Sequence, residues 1–333
     1  MIQLYHNYTA LWWESQEEKA KMKKALKIIG IVLLVIIGLV VIWIIVASLK
    51  QAVDKKYTQT VKTGGDIEAK YLAMGSHETS YLERGGMHDF KKYEIFYPSD
   101  IDSGNEKYPV VIFSNGTGIK TSKYKAVLEH LASWGFVCIG TEEENSWNGF
   151  SSEMCLRFIE KLNATETVDG WDKNPFYGHI DMDNIGVSGH SQGGVGVINA
   201  ATENKNGSKI KAIFSASPTN KELAAALEWD YDASLVSVPI FLVSSTGNSD
   251  ENLVVSGEQL KAIYDDVPDA VTKIMARRND ADHGDMLSFA DGYMTAWFMW
   301  QLQGDEEAAK AFTGDSPEIK TNSLYQDQQF NIK

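Results

Sequence analysis

The chain is short of cysteine, of cationic charge and, in its second half, of histidine, and each shortage closes off a class of function. Cys138 and Cys155 are its 2 cysteines, and neither stands at metal-ligand spacing. Cys138 falls inside the apolar run Phe136–Ile139, so a buried free thiol is the default reading. One Cys138–Cys155 disulfide is the most that an oxidising compartment could add. With 31 Lys and Arg against 45 Asp and Glu, the net charge is −14, which argues against nucleic acid as a partner. There is no H-E-x-x-H and no G-x-x-x-x-G-K-[ST], so neither a metal nor a cofactor is expected. No internal repeat is visible, and a hydrophobic fraction of 44% suffices for a sizeable core.

What is present centres on Asp183–Gly196, which reads as a short buried strand, a sharp turn and a helix. Ser191 stands at the turn, with Gly189 and His190 before it and Gly193 two residues after. This is the G-x-S-x-G nucleophile elbow: the strained turn lifts a serine hydroxyl above the sheet edge. Crowded backbone on both sides demands glycine at the flanking positions. The helix beginning at Gln192 aims its first N–H groups at the place where an oxyanion would form.

An elbow serine needs a base, and the base needs an orienting carboxylate. Elbow enzymes carry them in the chain order Ser, acid, His. Of 7 histidines only His283 follows Ser191, in the loop Asn279–Asp285 between the last expected strand and the closing helix. His283 is therefore the candidate base. Its neighbours Asp280, Asp282 and Asp285 read as loop or helix-start residues. Asp250, on the loop leaving the strand Pro239–Ser244, is the candidate acid, with Glu251 its nearest rival. The oxyanion hole needs two N–H donors. Gln192 supplies one; Thr117, in the loop Ser114–Gly118 after the strand Val110–Phe113, is the choice for the other, with Gly116 second.

Along the chain, strands alternate with helices of about 10–15 residues, the pattern of a mostly parallel α/β sheet covered on both faces. Two early strands, Lys92–Tyr97 and Tyr108–Phe113, are separated by turn chemistry at Ser99–Asn105 and read as a hairpin-like pair. Residues 313–333 are polar and aperiodic, and read as a loose tail. The interval Ala216–Ser237 holds one short helical pattern, which predicts an open cleft rather than a lidded lipid tunnel.

Before all this, no charged residue occurs from Ile28 to Leu49. A run of about 20 apolar residues crosses a bilayer, and this one exceeds the apolar core of a cleaved signal peptide. Residues 28–49 are expected to be a transmembrane signal anchor in contact with the lipid bilayer. Lysines 19, 21, 23, 24 and 27 precede it, so residues 1–27 should be cytoplasmic, with a polar stalk at 50–66 and a domain at 67–312 outside the membrane.

Residues 67–312 resemble the α/β-hydrolase superfamily. The resemblance is nearest to its dienelactone hydrolase-like and cutinase-like polyester hydrolases, the branch that includes poly(ethylene terephthalate) hydrolase. It is carried by Tyr108–Val111 leading into Asn115–Thr117, by Leu131–Val137, by Asp183–Gly194, and by the placing of Asp250 and His283. The resemblance implies Ser191 as nucleophile, His283 as base, Asp250 as acid, and Gln192 and Thr117 as oxyanion donors, acting on a small or polymeric ester. Thr219 and Thr117 stand where those polyesterases carry aromatic residues, which weighs against aromatic polyester as substrate. An acyltransferase or thioesterase would use the same three residues with another acceptor. A binding module on a retired hydrolase scaffold is the non-enzymatic alternative, and the intact triad argues against it.

Overall fold

The computed structural model describes residues 52–86 and 90–333, together with Lys23, Lys24, Lys27 and Ile28. The chain divides at Lys50/Gln51, and the unit Gln51–Lys333 is the one described below. Almost all of 1–27 and of the expected anchor 28–49 lies outside the described residues. Among the described residues no helix is long and apolar enough to cross a membrane.

Among the described residues one mixed sheet has the order β1-β2-β4-β3-β5-β6-β7-β8-β9. Its strands are β1 Thr79–Gly85, β2 Lys92–Pro98, β3 Tyr108–Ser114, β4 Val137–Thr141, β5 Ile180–His190, β6 Ile210–Ala216, β7 Ile240–Ser245, β8 Lys273–Arg278 and β9 Tyr325–Asn331. From β4 through β3 to β8 every neighbouring pair is parallel. Parallel strands buried on both faces should be unbroken apolar runs. Val110–Phe113 and Ile240–Val243 are such runs, without an exposed residue.

The helices are α1 Tyr57–Thr60, α2 Asp66–Leu72, α3 Lys125–Ser133, α4 Phe150–Ala164, α5 Gln192–Thr202, α6 Lys221–Ala226, α7 Gly257–Asp266, α8 Met286–Phe289, α9 Asp291–Gln303, α10 Glu306–Ala309 and α11 Glu318–Thr321. Leu128 and Leu131 of α3 join Trp297 and Phe298 of α9 in one core with Val111, Phe113, Phe214 and Phe241. Because strand side chains alternate, Val110 and Ile112 face the other layer, where α4 and α5 pack. Both cysteines are free and buried, and burial pushes both thiols up.

Three expectations are corrected. The strands β2 and β3 are not a hairpin: β4 lies between them, antiparallel to β2 and parallel to β3. Turn residues mark where a strand stops, and the partner is chosen by which apolar faces meet. Residues 313–333 are not a loose tail, since α11 and β9 occupy them and β9 pairs antiparallel with β8. The polar sequence Tyr325–Asn331 suits an edge strand with little burial, so no hydrophobic alternation marked it.

The stretch 50–66 is not a bare stalk either. Tyr57 is buried and its hydroxyl donates to Asp291, while Arg278 Nη2 donates to the Lys62 carbonyl at 2.6 Å. Glu68 in α2 is 1% exposed and ion-pairs with Arg278 at 3.2 Å. These contacts fasten α1 and α2 to the end of β8 and to α9.

Candidate active site

The strand β5 ends at His190 and α5 begins at Gln192, leaving Ser191 alone in the turn between them. Its backbone adopts φ 61° and ψ −121°, a strained conformation that L residues rarely occupy. The turn is held by Ser191 N–H donating to the Ala216 carbonyl at 2.9 Å. The flanking glycines are sterically required. A Cβ on Gly189 would lie 2.1 Å from the Gly193 carbonyl oxygen, and one on Gly193 would lie 2.1 Å from that of Ser114.

The loop after β8 brings His283 to this turn. The His190 ring donates from Nε2 to the His283 carbonyl at 2.7 Å, and the two rings lie 4.5 Å apart between centroids. From the loop after β7, Asp250 Oδ1 meets His283 Nδ1 at 2.7 Å. Ser191 and His283 keep 7% and 6% exposure, whereas Asp250 has 0%.

Asp250 Oδ2 accepts from Ser217 Oγ at 2.6 Å, from Ser245 N–H at 2.8 Å and from Ser245 Oγ at 2.7 Å. Burial pushes the Asp250 carboxyl up, but the His283 imidazole, by hydrogen bond and charge, and the two hydroxyls outweigh it. The carboxyl ends below its ordinary range. The rival Glu251 points elsewhere, into an ion pair with Arg277.

On the other side of Ser191, the N–H of Gln192 is the first of α5, one of the donors a helix leaves without an internal acceptor. Thr117 sits in the loop after β3, partly buried. That loop is anchored by Asn115, whose Nδ2 donates to the carbonyls of Thr141 and Glu143, both at 2.7 Å. Gln192 Oε1 in turn accepts from Ser146 N–H at 3.0 Å, tying the elbow helix to the same loop cluster.

As the sequence suggests, Asp282 and Asp285 are helix-start residues, capping the turn His283–Asp285 reciprocally, but the further bonds of Asp282 escaped that reading. Asp282 also accepts from Ser249 N–H and Oγ, each at 2.9 Å, which joins the acid loop to the imidazole loop. Ser217 and Ser245 were the other omissions. Their only signal was position: each falls at the C-terminal end of a parallel strand, where open α/β sheets carry their sites.

The profile of the PET hydrolase-like family matches residues 56–328. The chain belongs to the PET hydrolase-like family. Membership makes it a carboxylic ester hydrolase with an α/β fold. A bis(hydroxyethyl) terephthalate hydrolase of Streptomyces coelicolor (strain ATCC BAA-471 / A3(2) / M145) is similar to it, 25% identical over 236 residues that cover 70% of this chain and 68% of that protein. The family match runs from just before Tyr57 into β9, ending at Gln328, so the clasp formed by α1 and α2 belongs to the matched region. Within it, Thr219 is buried and its carbonyl accepts from the Tyr231 hydroxyl at 3.1 Å. Thr117 lies on the loop after β3 and Thr219 on the loop after β6, the two strands that flank β5.

Proposed function

We propose that this PET hydrolase-like protein is a serine esterase in which Ser191 attacks an ester carbonyl. His283 takes the hydroxyl proton and returns it to the leaving alcohol. Asp250 fixes the imidazole tautomer and stabilises the imidazolium. The N–H groups of Gln192 and Thr117 hold the developing oxyanion, and water releases the acyl group from Ser191. The observation that carries this reading is the buried 2.7 Å contact between His283 Nδ1 and Asp250 Oδ1, beside a serine strained at φ 61°.

The substrate class is a small or polymeric ester. The segment between β6 and β7 holds one short α-helix, α6, and a single 3-10 turn at Ala233–Leu235, which supports an open cleft. The terephthalate diester named for the Streptomyces relative is the natural first substrate to assay. Threonine at 117 and 219 supports a preference for less aromatic esters. The uncharged run 28–49 and the lysines before it support a single-pass protein, its N-terminus cytoplasmic and its catalytic unit outside the cell membrane.

The test is turnover of p-nitrophenyl butyrate by the purified full-length chain and by Ser191→Ala. The wild type should hydrolyse it and the variant should fall to the buffer rate. Undiminished turnover by the variant would remove Ser191 from the mechanism.

A further inference from the structure

A second strained residue stands beside the first. Ser217 directly follows β6 with φ 44°, in the left-handed region that favours glycine, and it is 0% exposed. Such strain persists only where the surroundings over-determine it. The Ser217 N–H donates to the Val243 carbonyl at 2.6 Å and its hydroxyl donates to Asp250 Oδ2, also at 2.6 Å. A carboxylate can only accept, so the direction of the second bond is fixed.

We propose that Ser217 is a positioning residue for the acid of the triad, a second elbow that sets the rotation of the Asp250 carboxylate. The inference rests on the esterase reading above. Ser245 also donates to Oδ2, but it ends β7, the strand from which the acid loop itself departs, and so it moves with that loop. Ser217 comes from the neighbouring strand. Its predecessor Ala216 accepts from Ser191 N–H at 2.9 Å. The dipeptide Ala216–Ser217 therefore joins the nucleophile to the acid through two hydrogen bonds, and the donors at Oδ2 leave Oδ1 for the imidazole. The titratable groups that face the acid, His283 and Asp282, both come from the loop after β8, while Glu251, next to the acid in sequence, pairs with Arg277 of β8. Arg277 is engaged by Glu251 and Asp327.

Two variants of the full-length chain separate positioning from mere stability. Ser217→Ala removes the hydroxyl and keeps the backbone strain; Ser217→Gly removes the hydroxyl and relieves the strain. Ser217→Gly should melt at a higher temperature than Ser217→Ala. Both should lose roughly 10- to 100-fold in kcat, the factor that a charge-assisted hydrogen bond commands, with little change in KM. In both, the acid limb of the kcat/KM profile should be displaced from that of the wild type. If kcat follows melting temperature, with the glycine variant near wild type, Ser217 is a structural residue and the inference fails. It fails equally if both variants keep kcat within about twofold and the wild-type acid limb. Failure of the esterase reading has a different sign, namely Ser191→Ala remaining active.

Discussion

His190 and His283 are joined side chain to backbone: the His190 ring donates from Nε2 to the His283 carbonyl across 2.7 Å. The residue next to Ser191 thereby holds the loop that carries His283. A shift of either loop is felt at both, and in the proposed mechanism the geometry of proton transfer depends on a bond outside the set Ser191, His283 and Asp250. Replacing His190 by Ala should leave that carbonyl without its buried donor, at a cost of about 1–3 kcal/mol in stability. His190→Gln, which can still donate an N–H, should recover part of the loss. Thermal unfolding of the two variants, read beside kcat, checks this.

Asp250→Asn should preserve the fold and nearly abolish turnover. An amide at Oδ1's place no longer enforces the tautomer with Nδ1 protonated, and a loss of about 10³- to 10⁴-fold in kcat is expected. Glu251→Gln, which removes the partner of Arg277 without touching His283, should change kcat far less. Steady-state kinetics on the pair distinguishes the acid from its neighbour.

Stability should fall away on both sides of neutrality, for separate reasons. Burial pulls the His130 imidazole down, but the Asp291 carboxylate beside it, 2.6 Å away, and the Ala73 carbonyl outweigh that and hold it above its ordinary value. A raised histidine contributes stability that is complete below about pH 6.5, the unfolded value, and is lost as pH rises through the folded one. The carboxyls of Asp250, Asp282 and Asp305 are held low, so their contribution is present above roughly pH 3.9 and lost as pH falls through their folded values. Melting temperature against pH should show both limbs, and His130→Asn should flatten the alkaline one.

Glu68→Ala should be among the most damaging single changes outside the site. Glu68 and Arg278 each have 2% side-chain exposure, and the carboxylate also accepts from Asn322 Nδ2 at 2.8 Å and Tyr325 at 3.2 Å. Removing it leaves a buried guanidinium unpaired, at about 3–5 kcal/mol. Arg278 ends the strand that leads into the His283 loop, so activity should fall with stability. Denaturant unfolding and kcat measured together check the prediction.

The parts of this protein that were legible in the sequence share one property, namely local redundancy. The elbow announces itself because strand pattern, paired glycines and helix pattern fall within fourteen residues, Asp183–Gly196. The parallel strands announce themselves as apolar runs such as Val110–Phe113. His283 stood out because no other histidine follows Ser191. What stayed hidden depends on partners distant in the chain. The strand β9 is polar and takes its place only by pairing with β8, and α1 and α2 are recognisable only through Asp291, Arg278 and Asn322. The pairing of β2 with β4 rather than β3 is likewise a property of the assembled sheet. Ser217 and Ser245 are ordinary serines until the acid they hold is placed beside them.

The central claim is that the hydroxyl of Ser191 becomes acylated. It is tested most directly by quenching the full-length enzyme during turnover of p-nitrophenyl butyrate and mapping the acyl adduct by peptide mass spectrometry. The account predicts a butyryl group on the peptide containing Ser191, in a burst that Asp250→Asn slows and Ser191→Ala abolishes. Turnover with the adduct on another residue, or with Ser191→Ala forming it at the wild-type rate, would contradict it.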